Sequence, residues 1–321
     1  MTDDPISLDP AILVQVAGSI LLGQDPHLNR REVVDRAGLS LDEAKALWRA
    51  LGFAEADDDL AAFTDADVEA LCAVRALTEQ HGLDAALLPA LVRSMGSSFA
   101  RLADWQSALL LDGATGSGLT LESLAEIAEI VGRLQTYIWR RHLLDATGRL
   151  LLHRAADDET RPMAVGFVDI VGYTTMSRRL STTELATVIE TFEQVTSELV
   201  VEAGGRVIKT IGDEVLYTLD DPLAAAEVAL ALTTAHEPEV RIGSAYGPVL
   251  PRLGDVFGPV VNIAARLTSI ARPGRVLVDA ELAGLLKGDP RFRLKRAPRA
   301  AVKGYDHLEP WSLQPATAPH P

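Results

Sequence analysis

A single change of hydrophobic rhythm, at Met163, limits the folds open to this chain. From residue 8 to about residue 152 the apolar residues recur at helical spacing, with no convincing strand among them. From Met163 onward, short apolar runs bounded by Gly, Asp and Pro alternate with amphipathic stretches. The two rhythms predict two domains, residues 1–152 and 163–313. Between them lies a polar, patternless linker, residues 153–162 (HRAADDETRP), and a proline-rich tail, residues 314–321, is expected to be disordered. A length of 321 residues suits two domains of ordinary size.

The first half predicts an all-helical domain. Asp9 and Pro10 suit the N-cap and first position of a helix, and Ser40 with Glu43 fits a capping box. Thr64 with Asp67 repeats that signal, and Gly82 is placed as a stop. The helix–turn–helix near residues 30–52 admits two readings, a DNA reader or a compact hairpin in a regulatory bundle. Asp42 and Glu43 sit where phosphate contacts would form, and the net charge is −15, so the hairpin is favoured. The apolar stretch from Leu87 to Leu111 is read as core packing ahead of a lipid pocket. The acidic N-terminus does not fit a signal peptide, and the run Ala11–Leu22 is too short to span a bilayer. With one cysteine, Cys72, in a helical apolar pattern, the expected setting is the reducing cytoplasm, without membrane span or nucleic acid partner.

The second half reads as strand, helix, strand, strand, helix, strand, with further elements behind. That order predicts an α+β fold with a ferredoxin-like βαββαβ core. Gly212-Asp213 marks a tight hairpin turn between RVIKTI and EVLYTL.

Several polar residues stand at the margins of these apolar runs. Asp169 ends the first strand and Asp213 lies 213 − 169 = 44 residues later, a spacing that lets both carboxylates reach one point. Each alone is better explained as a strand-end or turn residue; together the preference reverses, and they suit hard divalent cations. Lys209 and Asp255 are, singly, an edge-strand lysine and a loop acid. As a pair they offer a donor beside an acceptor, the complement of the adenine edge, whereas guanine would leave both mismatched. Asn262 and Arg266 are four apart on a predicted helix, hence on one face, where they suit a ribose and a phosphoryl group. Lys303 offers a further phosphate contact.

The segments MAVGFVDIVGYT, RVIKTIGDEVL and GDVFGPVVNIAARLTSIARPG resemble the class III nucleotide cyclases over residues 163–313. The resemblance implies that Asp169, Asp213 and the backbone carbonyl of Ile170 hold two divalent cations, Mg²⁺ or Mn²⁺. It implies that Lys209 and Asp255 read adenine, Asn262 orients the ribose, Arg266 stabilises the transition state and Lys303 binds the triphosphate. The implied reaction is cyclisation of ATP to 3′,5′-cyclic AMP and pyrophosphate. The implied assembly is a head-to-tail homodimer whose sites take metal aspartates from one chain and the remaining groups from the other. The helical half is similar to the regulatory domain of actinobacterial adenylate cyclases, which implies restraint of catalysis and a pH, lipid or small-molecule input.

Overall fold

The structure, a computed structural model, describes residues 17–53, 57–117, 120–153, 160–252, 254–298, 300–302 and 305–316. The expected cap at Asp9 and Pro10, residues 154–159 of the linker, Lys303 and the tail from residue 317 lie outside them. The chain divides into two units, Met1–His153 and Arg154–Pro321. Among the described residues, no helix is long and apolar enough to cross a membrane.

The first unit contains helices α1 (Arg30–Ala37), α2 (Leu41–Leu51), α3 (Asp65–Glu79), α4 (Leu88–Ser117) and α5 (Leu121–His153). Capping boxes start the first three, Asn29 with Glu32, Ser40 with Glu43 and Thr64 with Asp67. Val33, Val34, Ala37, Ala44, Trp48, Val68 and Leu71 form their shared core, with Cys72 at its edge. Among the described residues of this unit, one isolated antiparallel bridge, Leu28 to Phe63, stands outside the helices. The guanidinium of Arg30 is buried over the Trp48 ring and bonds Asp58, which also accepts from Lys45. The expected core packing of the long apolar stretch is not what α4 shows. Val92 is buried, but Met95, Phe99 and Trp105 are 47%, 49% and 61% exposed.

The second unit is built on an eight-stranded sheet. Its elements are β1 (Arg161–Ile170), α6 (Tyr173–Met176), α7 (Thr182–Glu202), β2 (Arg206–Ile211), β3 (Glu214–Leu219) and α8 (Pro222–Ala235). They continue with β4 (Val240–Arg252), β5 (Asp255–Phe257), α9 (Pro259–Ile270), β6 (Val276–Val278) and α10 (Ala280–Leu286). The last strands are β7 (Phe292–Arg296), β8 (Ala300–Val302), β9 (Tyr305–Leu308) and β10 (Trp311–Pro315). The sheet runs β2-β3-β1-β4-β6-β10-β7, with β5 on β4 and β8-β9 as a separate pair. Two expected boundaries move. The sheet begins at Arg161, which pairs with Val249, and Gln314 and Pro315 lie in β10 opposite Arg293 and Phe292. Each of these residues pairs on one side, Arg161 with β4 and Gln314 and Pro315 with β7, and Pro315 sits at a strand end, where a missing N–H is tolerated.

Residues 163–170 of β1 are all buried, as expected of a central strand covered on both faces. One face packs under α7, α8 and α10 through residues such as Phe192, Val200, Ala229 and Leu282. The other packs under α9 through Val260, Ala264 and Leu267. On the first face Tyr217 stands opposite Gly166, where an added Cβ would lie 2.2 Å from its ring. The Tyr217 hydroxyl is buried and has no hydrogen-bond partner among the described residues. Tyr217→Phe is therefore expected to leave the urea-unfolding midpoint unchanged or to raise stability by up to about 1 kcal/mol. A loss larger than about 1 kcal/mol would show that the hydroxyl has a partner after all.

Candidate functional site

Strand alternation sends Asp169 to the α9 face of the sheet, together with Met163, Val165 and Phe167. Directly across the neighbouring strands stand Glu214 on β3 and Arg241 on β4. Arg241 donates from Nε to Asp169 Oδ2 at 2.6 Å, and its Nη2 lies 2.6 Å from the same oxygen. Its Nη1 donates to the backbone carbonyl of Ser269 at 3.3 Å. Asp213 occupies the two-residue turn between β2 and β3, where Gly212 takes the left-handed conformation at φ 65°. The Ile170 N–H donates to the Asp213 carbonyl at 3.1 Å and pins that turn to the end of β1.

Burial raises the pKa of Asp169; Arg241 opposes the rise, and the neighbouring Asp213 adds to it. Glu214 is pushed up to about 7 by burial and by the charges of Asp169 and Asp213. The arrangement is a knot of carboxylates that one guanidinium only partly offsets, and a divalent cation would relieve it. Among the described residues no group of three or more His, Cys, Asp or Glu is gathered to hold a metal. A cation here would therefore rest on Asp169, Asp213 and main-chain oxygen, completed by water or substrate phosphate, a donor set that fits Mg²⁺ or Mn²⁺.

Glu214 carries a pH dependence in the metal-free protein. With a folded pKa of about 7 against an ordinary 4.5, it favours the fold fully below about pH 4.5. That contribution is lost as the pH rises through 7. Glu214→Gln is thus expected to gain ~1–2 kcal/mol over wild type at pH 8, after allowance for solvent screening. Near pH 4.5 the gain should vanish. Urea titrations in the presence of a chelator check this, and an equal effect at both pH values would refute it.

Lys209 stands on β2 at a register irregularity, and Asp255 opens β5 at the end of the long strand β4. The Lys209 ammonium donates to Asp255 Oδ2 at 2.5 Å, while Asp255 Oδ1 accepts from the Val256 N–H at 2.8 Å. Burial raises the Asp255 pKa, but the lysine and the N–H outweigh it and hold the carboxyl below its ordinary value. Donor and acceptor thus stand side by side in the free chain.

Asn262 and Arg266 lie on the exposed face of α9, opposite its buried Val260, Ala264, Leu267 and Thr268. Neither side chain has a hydrogen-bond or ion-pair partner among the described residues. The structure thus joins Asp169 with Asp213, and Lys209 with Asp255. Among the described residues no direct side-chain bond links those two sets to each other or to Asn262 and Arg266. Lys303 falls between β8 and β9, outside the described residues. Sequence reasoning missed Glu214 and Arg241. Glu214 had a signal in its place beside Asp213 at the start of an apolar strand; Arg241, 72 residues from Asp169, had none.

The chain matches two families, the adenylate and guanylate cyclase catalytic domain over residues 156–315 and the adenylate cyclase regulatory domain over residues 6–138. It is 38% identical to an adenylate cyclase of Glutamicibacter nicotianae, over 91% of this chain and 80% of that one. To an adenylate cyclase of Streptomyces coelicolor it is 39% identical, over 96% and 92%. Among solved structures, it aligns with an adenylyl cyclase crystal structure from P. aeruginosa at 21% identity and a TM-score of 0.45. That alignment covers 49% of this chain and 97% of that one.

Proposed function

The chain belongs to the adenylate cyclase family, and on that premise we propose that it converts ATP to 3′,5′-cyclic AMP and pyrophosphate. The observation that carries the choice of base is the Lys209–Asp255 pair, whose donor and acceptor complement the adenine edge. The two groups can exchange their mutual bond for bonds to adenine, whereas guanine would bury both unpaired.

Asp169, Asp213 and the Ile170 carbonyl would hold a pair of divalent cations, Mg²⁺ or Mn²⁺, which supply positive charge for the attacking oxygen and for the triphosphate. The 3′-oxygen forms a bond to the α-phosphorus as the bond to the pyrophosphate oxygen breaks, and the 3′-hydroxyl proton leaves to solvent. Asn262 orients the ribose, and Arg266 offsets charge growing on the α-phosphoryl oxygens. Lys303 takes the triphosphate. Arg241 holds Asp169 in place from the neighbouring strand.

A head-to-tail homodimer completes the site. In support of it, the acids and the α9 residues share no direct bond within one chain and the α9 pair faces solvent. The strand order β2-β3-β1-β4 supports a ferredoxin-like core. The regulatory-domain match over residues 6–138 supports control by the helical unit, through pH, a lipid or another small molecule. ATP as substrate supports a cytoplasmic setting.

Purified full-length protein with Mn²⁺ and either ATP or GTP tests the assignment. Cyclic AMP is expected, with cyclic GMP slower by at least ~10²-fold. Lys209→Glu with Asp255→Cys is expected to shift that preference toward GTP, and an unaltered preference would sink the base assignment. A folded dimer that forms neither product would leave only a scaffold role.

A further inference from the structure

We propose that Arg241 is a positioning residue that ties Asp169 to helix α9, so that each chain links the two active sites of the dimer. This rests on the composite-site reading above, in which the acids of one chain serve one site and its α9 residues serve the other.

The link is short. Two guanidinium nitrogens of Arg241 converge on Asp169 Oδ2, and the third reaches the carbonyl of Ser269. Ser269 is the penultimate residue of α9, and its carbonyl is among the last four that a helix cannot pair internally. The Ala271 N–H serves the carbonyls of Leu267 and Thr268, and Arg241 serves that of Ser269. A cation at a helix C-terminus is also favourable for the helix dipole. Arg266 lies 269 − 266 = 3 residues upstream and Asn262 lies 269 − 262 = 7, one and two turns from the anchored carbonyl.

The helix end is clamped as well. Gly243, two residues after Arg241, has Thr268 and Ala264 against it, and Thr268 Oγ1 donates to the Ala264 carbonyl at 2.9 Å. A turn of the Asp169 carboxylate toward a cation must therefore carry the guanidinium with it, and the guanidinium holds the helix that presents Asn262 and Arg266. Lysine gathers its donors on one nitrogen and lacks the planar fork that spans Asp169 and Ser269.

Heterodimers read the link directly. When one chain carries Asp213→Asn and the other Arg266→Ala, one site stays whole. Its acids come from the Arg266→Ala chain and its helix from the Asp213→Asn chain. Arg241→Gln is expected to lower the kcat of that site about tenfold from either chain, with the KM for ATP moving less than about twofold, because sub-ångström misplacement of a positioned group acts on the transition state. Arg241→Lys keeps a cation on Asp169 and loses Ser269. It should spare the site from the acid-donating chain and impair it from the helix-donating chain. General destabilisation cannot produce that asymmetry. Arg291→Ala, which breaks a separate pair with Glu227 and Asp289, should leave kcat unchanged from either chain.

A second measurement needs neither metal nor turnover. In the metal-free homodimer, Arg241→Gln should speed amide hydrogen exchange over residues 266–271 and leave α7 unchanged. Full activity with Arg241→Gln in the helix-donating chain, or unaltered exchange over 266–271, would overturn the proposal. So would equal losses from glutamine and lysine in every placement. An inactive parent heterodimer would count against the composite site itself, and the exchange measurement separates that failure from a failure of the link.

Discussion

A one-to-one mixture of Asp213→Asn and Arg266→Ala chains is expected to recover about a quarter of the wild-type rate, although each variant alone falls by at least ~10²-fold. Asp213→Asn removes an anionic oxygen from the turn that Ile170 pins to β1, and Arg266→Ala removes the cation on the open face of α9. Neither change disturbs the core, so both chains should fold and pair. Random exchange makes half of the dimers mixed, and each mixed dimer holds one intact site out of two. Cyclic AMP formation before and after subunit exchange gives the result. Mixed dimers seen in solution without recovered activity would mean that each site is built within a single chain.

Gly243→Ala is expected to cost about 3 kcal/mol or more and to lower kcat with it. A Cβ at Gly243 would lie 2.2 Å from the Thr268 nitrogen, 2.4 Å from the Ala264 carbonyl oxygen and 2.5 Å from Thr268 Oγ1. Two of these are backbone atoms of α9, so no side chain can swing away. The helix must lift from β4, and Asn262 and Arg266 lift with it. Gly284 in α10 is the matched control, since a Cβ there meets nothing within 4 Å. Gly284→Ala should gain up to about 1 kcal/mol from helix propensity. Urea unfolding of both variants, with kcat measured beside it, checks the pair. A stable, fully active Gly243→Ala protein would show that α9 has slack the close packing does not suggest.

What was legible in the sequence was mostly local. Ser40 with Glu43 and Thr64 with Asp67 announced helix starts because a capping box needs only four residues. Gly212 announced the hairpin because the turn needs a left-handed residue. Lys209 and Asp255 were recognisable through their motifs, yet their 2.5 Å contact spans 46 residues and required the sheet to bring them together. A longer separation, 72 residues from Asp169, hid Arg241, whose alternation along β4 gives its face and nothing of its partner. Glu214 went unread because only burial beside Asp169 and Asp213 sets it apart from an ordinary acid at a strand start. At Gln314 and Pro315 a proline-rich composition says nothing of β7, the strand that pairs with them.

The place of β10 in the sheet sets an order of assembly during synthesis. It lies between β6 and β7, so those neighbours cannot be joined until residues 311–315 have emerged from the ribosome. The helical unit is complete at His153, which is 315 − 153 = 162 residues earlier. At translation rates of roughly 5–20 residues per second, that interval is roughly 8–30 s. From the emergence of β7 to that of β10 the nascent sheet has an open gap, and a finished helical unit is already present on the same chain.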